Sequence, residues 1–407
     1  MSFLFPFLNF LQPGILWPEL ADFRPMLIAT LVAALWGETS KSVYSKSVVF
    51  LHPTFLWMLV FIAVQPLSVF RSGFLSMFDT IVYWITYPVF VSVSFLIAGS
   101  IETLRRYILG MCTGGLFVVV YGMYALSDGI GLAATGRAGA YGMYENHNDY
   151  SFIIILILPF LYTFWTSERD FFKKLFFIGG MAACVAGIFL SLSRGGMLAL
   201  VLEASLIVLL IMQGKRRLLF IPVLVVCASL AIAYQWSARD ANQTNYSSDD
   251  AQSSRLELWK AGWEMLKERP LLGVGSRNFS EVSQQYGELS HDNIGKNAHN
   301  TFVEILADNG LIGFGSFVMM IISLIGSLRK DMAIDNASLL HPIRLAVLVS
   351  LYSTLARTTL DAKPHDWSIF VLCAIGIVCH ALSGTPRQKV GKLATHSTPI
   401  SGIGTNS

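Results

Sequence analysis

Hydrophobic residues run through this chain in long blocks separated by short polar turns. Crossing the hydrocarbon core of a bilayer takes about 20 apolar residues in a helix, fewer where a segment is re-entrant or buried among others. On that measure the pattern predicts membrane helices near residues 2–12, 24–37, 48–70, 78–98, 105–126, 150–165, 172–192, 196–213, 217–235, 301–327, 341–360 and 366–383. The first two blocks are short for a full crossing, and a helical hairpin that stops inside the membrane is the alternative for them. The expected fold is therefore an all-α polytopic membrane protein of about 12 transmembrane helices. Its expected divisions are 1–235 (helices one to nine), 236–300 (a large outer loop), 301–383 (helices ten to twelve) and 384–407 (a polar tail).

The large loop has its own pattern. Ser237–Ser254 is rich in Asp, Asn, Gln and Ser and is expected to be mobile. Arg255–Arg269 predicts an amphipathic helix, with Leu256, Trp259, Trp263 and Leu266 on the apolar face and Glu257, Lys260, Glu264 and Lys267 between them. Pro270 should stop it, and Gly273-Val-Gly275 reads as a tight turn. Such a helix would either lie on the membrane leaflet or cap the bundle, and capping is preferred. Thr301-x-x-Glu304 matches a capping box that starts the tenth span, and Gly310 with Gly313 suggests close helix packing within it. No internal repeat is visible, which disfavours transporter folds built from inverted repeats.

Composition agrees: 54% of the 407 residues are hydrophobic, 14% are charged and the mean hydropathy is +0.57, where a soluble domain carries about 25% charged residues. The net charge of +3 is small and its carriers lie in loops, so nothing points to nucleic acid. Cys112, Cys184, Cys227, Cys373 and Cys379 fall in apolar blocks without disulfide or metal-ligand spacing and read as packing residues. Met1–Leu11 lacks a basic flank and a cleavage site, and is read as a membrane element, not a signal peptide. With both termini cytoplasmic, fifteen Lys and Arg fall in inner loops and the tail against six in the short outer loops, as the positive-inside rule asks. Trp17, Trp36, Trp84, Trp165, Trp236 and Trp367 lie near span ends, like an interfacial belt.

Residues able to do chemistry gather on the outer side. Arg71, Arg137, Arg194 and Arg357 stand at outer ends of four spans, where the ordinary role is snorkelling to headgroup phosphates. Arg194 lies in Ser191-Leu-Ser193-Arg194-Gly195-Gly196; two glycines let backbone N–H groups converge beside a forked guanidinium, which suits a diphosphate. Arg137 sits between glycines ahead of Glu145-Asn146-His147-Asn148-Asp149, residues that equally serve as helix N-caps; His147 reads as an exposed loop histidine. His299, in Asn297-Ala-His299-Asn300-Thr301, is placed just outside a helix start, where free N–H groups favour an anion. A neutral imidazole there can take a proton from a hydroxyl; a loop histidine bonded to the backbone is the plain alternative. Asn300 would orient His299 or the helix start. Asp249-Asp250 is the nearest approach to a carboxylate pair and no zinc spacing exists, so neither metal nor cofactor is expected.

The His299-Asn300 pair followed after nine residues by Gly310-Leu-Ile-Gly313, with Ser193-Arg194-Gly195-Gly196 and the glycine-flanked Arg137, resembles the bacterial O-antigen ligase family over roughly residues 130 to 325. The resemblance implies a metal-independent, inverting glycosyltransferase of the bacterial inner membrane with its active site facing the periplasm. Its donor would be an undecaprenyl-pyrophosphate glycan, and its acceptor a sugar hydroxyl of lipid A–core or another glycan. Arg194, Arg137 and Arg255 would hold the pyrophosphate, and His299 would be the base or position the acceptor. Arg255 matches an arginine of the family's large outer loop. Arg277 is a further substrate-binding candidate, and Asp361 falls in a region where the family has an acidic residue. Polymerases of O-antigen and exopolysaccharide share the scaffold; the single large loop leans towards a ligase. A transporter or flippase is the reading from another class. It would want ionisable residues at mid-span, and almost none are evident.

Overall fold

The computed structural model describes residues 1–70, 73–131, 133, 136–211, 233, 237, 248–335, 338–361 and 367–383. Among them there is no strand. In chain order the bundle is built from α1 (Leu4–Leu11), α2 (Pro25–Thr39), α3 (Pro53–Ser68), α4 (Phe74–Trp84), α5 (Thr86–Ile97), α6 (Ile101–Asp128), α7 (His147–Ser167), α8 (Phe171–Ser191), α9 (Arg194–Leu206), α10 (Ser248–Glu268), α11 (Thr301–Ile334), α12 (His341–Thr358) and α13 (Trp367–Ser383). Each expected span coincides with a helix or helix pair except 217–235, which lies outside the described residues, as do Arg71, Cys227, Trp236 and the tail 384–407.

Five stretches are long and apolar enough to cross a membrane: Phe74–Ile97, α6, α7, α8 and α11. This is a multi-pass membrane protein. The helices α2, α3 and α13, and Leu4–Leu16 containing α1, are apolar but shorter. Glycines of α6 account for α1: a Cβ at Gly110 would meet the Phe3 carbonyl oxygen at 2.1 Å, and one at Gly114 the Phe7 oxygen at 2.8 Å. Backbone therefore lies on backbone, and α1 is held by its neighbour despite its length. Among the described residues, side-chain contacts tie the turn residues into two separate groups. Asn148, Ser193, Thr301 and Asp361 belong to one; Asp331, His380, Arg344 and Ser383 belong to the other.

α11 is not one straight helix. Gly310 has φ 62° and ψ −163° and breaks it, and the segment after α10 repairs the break. Val274 N–H donates to Ala307 O at 2.9 Å and Gly275 N–H to Asp308 O at 3.0 Å. On the far side Leu311 N–H reaches Pro270 O at 2.8 Å and Ile312 N–H reaches Leu271 O at 3.2 Å. A Cβ on Gly310 would stand 2.5 Å from the Leu271 carbonyl, so glycine is needed for both its dihedral and its clearance. The expectation of simple glycine-mediated helix packing is corrected accordingly: Gly310 is a break that admits the loop. Behind it, Gln65 Oε1 accepts from Ser276 Oγ at 2.8 Å and Asn309 Nδ2 at 3.1 Å, while Trp84 Nε1 donates to Ser276 Oγ at 3.1 Å. Trp84 is thus buried at the loop's anchor, not in an interfacial belt.

α10 caps the bundle as expected, but it begins at Ser248, inside the stretch expected to be mobile, and of its four expected apolar positions it buries Leu266 and, in part, Trp259. Leu258, Ala261 and Met265 are fully buried, whereas Leu256 and Trp263 are 49% and 59% exposed. Gly262 sets the rotation, since a Cβ there would meet Val303 Cγ1 at 2.8 Å and Phe279 Cε2 at 3.1 Å. The smallest residue, not the largest, marks the contact. Two buried ionisable groups also went unanticipated. Glu203 in α9 and Arg344 in α12 are both fully buried, and neither Glu203 oxygen has a hydrogen-bond partner among the described residues.

Candidate active site at one end of the bundle

The turn between α8 and α9 is shaped by its own side chains. Leu192 adopts a left-handed conformation, φ 48°. Ser193 then caps α9 by accepting Gly196 N–H at 3.2 Å and donates its hydroxyl to Asn148 Oδ1 at 2.8 Å. Arg194 opens the helix, half-buried, where the free N–H groups and the dipole favour an anion. The glycines beside it do a different job from the one expected. They lie within the first helical turn, not in a nest, and they make room for neighbours. A Cβ at Gly195 would meet the Arg357 guanidinium at 2.7–3.1 Å, and one at Gly196 would meet Ser151 Cβ at 2.7 Å.

Arg137 is stapled to the same turn, donating from Nε to Ser191 O at 3.1 Å and from Nη2 to Leu192 O at 3.3 Å. Ala138 N–H bonds Leu190 O at 2.9 Å. His147 is buried, not exposed, with Nδ1 3.1 Å from Ala138 O, so it closes this loop onto the start of α7.

Arg357 is the centre of the group. It is 1% exposed and so does not snorkel. Its Nη2 donates to Asp361 Oδ2 at 3.2 Å, its Nε to Ser151 Oγ at 3.3 Å, and its Cζ lies 4.7 Å from the centre of the Phe152 ring. Asp361 continues the chain of contacts. Its backbone oxygen accepts both Thr301 N–H at 3.1 Å and Thr301 Oγ1 at 2.9 Å, and its Oδ1 stands 3.8 Å from His299 Nδ1. That separation is an ion-pair distance, too long for a direct hydrogen bond.

His299 is 39% exposed in its side chain and left-handed at φ 49°, a conformation that costs an L-residue on the order of 1 kcal/mol. Its neighbours hold it there. Asn300, not Thr301, is the N-cap of α11, accepting Phe302 N–H at 3.0 Å and Val303 N–H at 3.3 Å. Ala298 gives its N–H to Glu304 Oε2 at 3.3 Å and its carbonyl to Trp259 Nε1 at 2.9 Å. Glu304 thus reaches past the cap to Ala298, so the expected capping box is not formed.

Arg255 lies one turn before Trp259 on the same face of α10, which brings its helix over the residue next to His299. Arg277 belongs elsewhere: its Cζ lies 4.3 Å from the Tyr83 ring centre and its backbone N–H donates to Asp308 Oδ2 at 2.9 Å. Among the described residues its contacts are with α4 and the α11 break.

α10 is also latched by Glu257, whose Oε2 accepts Ser290 N–H at 3.0 Å, Ser290 Oγ at 2.9 Å and Asn293 Nδ2 at 2.7 Å. The backbone amide of Ser290, then the Asn293 and Ser290 side chains, hold this carboxyl below its ordinary range. A depressed folded pKa stabilises above the unfolded value and is lost as pH falls through the folded one. The protection of amides around Ser290, taken relative to their intrinsic exchange rate at each pH, should therefore fall as pH drops through the carboxylate range, and Glu257→Gln should remove that dependence. Hydrogen exchange across a pH series measures both.

Residues 179–318 match the protein-family profile described as O-antigen ligase. Over that stretch the chain is similar to the O-antigen ligase family. It is also 24% identical over 307 residues to "Exopolysaccharide production protein ExoQ" of Rhizobium meliloti (strain 1021), covering 70% of this chain and 68% of that protein. The O-antigen ligase region contains Arg194, Arg255, Arg277, His299 and Asn300. Arg137, Arg357 and Asp361 lie outside it and are brought to it by the fold. Sequence reasoning named Asp361 but missed the pairing with Arg357. The signal was there: the two are four residues apart, and an arginine in an apolar helix calls for a partner.

Proposed function

We propose that this chain is a ligase-type glycosyltransferase moving a glycan from undecaprenyl pyrophosphate to a sugar hydroxyl of lipid A–core, at the periplasmic face of the bacterial inner membrane. The observation that carries the reading is one linked cluster at one end of the bundle: Arg137 on the Arg194 turn, Arg357 against Gly195, and Asp361 between Arg357 and His299. Arg357 pairs with Asp361, while Arg194, at the start of its helix, and Arg137, on the same turn, would meet the diphosphate. Arg255 approaches from α10. With Nδ1 facing Asp361, His299 has Nε2 for the acceptor hydroxyl. The hydroxyl oxygen bonds to the anomeric carbon, the bond from that carbon to the diphosphate oxygen breaks, and the proton passes to His299. Attack opposite the leaving diphosphate inverts the anomeric centre.

A lipopolysaccharide gel from a deletion strain tests this. Loss of every ladder band with retained carrier-linked polymer is the expected result. A second reading, a polymerase with the same donor, is favoured by the relative named for exopolysaccharide production; a single-repeat band would select it. A transporter or flippase reading predicts polymer trapped on the cytoplasmic side.

Two further outcomes are expected of the purified protein. Arg194→Lys keeps the charge but loses the planar fork, and transfer should fall at least tenfold at equal expression. Full activity would reduce Arg194 to a headgroup contact. Transfer should also persist in excess chelator, with the diphosphate charge met by arginines; activity that returns only with magnesium or manganese would refute that.

A further inference from the structure

A cavity of about 460 Å³, in the size range of ligand pockets, lies far from the candidate active site. The ends of α11 and α13 and the segment before α3 enclose it. Asp331 in its wall is 21 residues beyond the Gly310 break, roughly 30 Å along α11 at 1.5 Å per residue. That distance matches the thickness of a hydrocarbon core, so the loop contacts at Gly310 and the cavity at Asp331 fit its two boundaries.

The charges of the cavity are held from the protein side. Asp331 is buried, and its two carboxylate oxygens lie 3.2 and 3.1 Å from His380 Nδ1. His52 backs His380 with ring centres 4.9 Å apart, and its own Nδ1 accepts Thr54 N–H at 3.2 Å, which fixes the ring from the backbone. Asp335 adds a second carboxylate to the wall, and Lys330 adds one ammonium. The rim is apolar: Val43, Val48 and Ile334 line it and are 46%, 40% and 69% exposed. Aliphatic side chains left open at this level border acyl chains.

A ligand suited to this place brings a cation to the carboxylates, an anion to Lys330 and hydrocarbon to the rim. A metal ion or a sugar lacks the hydrocarbon. A lipid with only negative charge would set it against two carboxylates. A phospholipid whose zwitterionic headgroup ends in a primary ammonium meets all three demands. Its N–H groups would donate to Asp331 and Asp335 while its phosphate meets Lys330. We propose that the cavity is a binding site for such a phospholipid, in the leaflet opposite the candidate active site. The proposal does not depend on the transferase reading.

The test titrates the full-length protein in detergent with phosphatidylethanolamine, phosphatidylcholine and phosphatidylglycerol of identical acyl chains, read by native mass spectrometry. Phosphatidylethanolamine should bind about tenfold more tightly than the other two, since choline has no N–H donor and glycerol no charge. Equal affinities, or tighter binding of phosphatidylglycerol, would overturn the assignment. Asp335→Asn should erase the preference, whereas Lys330→Gln should weaken all three lipids alike, because the phosphate is common to them. A preference that survives Asp335→Asn would count against the site. A photoreactive side chain at position 48 in the otherwise native chain, in nanodiscs of mixed phosphatidylethanolamine and phosphatidylglycerol, gives a reading that needs neither variant. Capture of phosphatidylethanolamine above its mole fraction is expected. Capture in proportion to the mixture, or of the chain's own residues 384–407 instead of lipid, would overturn the proposal.

Discussion

His299→Ala should abolish detectable glycan transfer while leaving donor binding in place. General-base contributions are typically about a hundredfold to ten-thousandfold, and the arginines that would hold the diphosphate are on other segments. His299 reaches Asp361 at 3.8 Å through Nδ1, on a different segment from Arg137 and Arg194, so its loss is expected to leave the diphosphate ligands in place. The control is His291, exposed in the short helix His291–Asn293, which should tolerate alanine. Donor affinity and turnover measured side by side decide the matter. Normal turnover in His299→Ala would sink the base assignment, whereas lost donor affinity would move His299 into the diphosphate site.

The second large effect is expected at Arg357. Arg357→Leu leaves the Asp361 carboxylate, 7% exposed, without its cation. Breaking one side of a buried pair costs about 3–5 kcal/mol, whereas replacing both partners by apolar groups is often neutral. The single variant should therefore accumulate poorly or melt far below the native protein, and Arg357→Leu with Asp361→Leu should recover the melting temperature. It should not recover transfer, because His299 would have lost the carboxylate that faces it. Thermal unfolding in detergent and a transfer assay read the two parts. An active double variant would make the pair purely structural.

How much of this could be read beforehand follows from what each residue type announces. His299 and Arg194 were legible because polar motifs with glycines stand out in an apolar chain. The helices were legible because hydrophobic runs of membrane length admit few other structures. Arg357 was read as reaching for headgroups, since an arginine near a span end looks the same when it turns inward, and only its four-residue spacing from Asp361 pointed to the pair. Gly195 and Gly196 were given a backbone role when their function is clearance for Arg357 and Ser151. The face of α10 was misjudged in part for a related reason: tryptophan draws the eye by size, while close contact at Gly262 set the rotation. Gly310 was visible as a glycine, but the loop segment that fills its break is forty residues upstream in pattern only, and no local signal joins the two.

That break makes the loop and the helix one cooperative unit. Lifting residues 270–275 away would strand the Ala307 and Asp308 carbonyls and the Leu311 and Ile312 amides in an apolar setting, and each unmet group there is expensive. The loop is thus not a separable lid hung on a finished bundle. It completes α11, so any opening large enough to release it must also fray the helix start that presents His299, and exposure of the loop and loss of the histidine's placement become a single event.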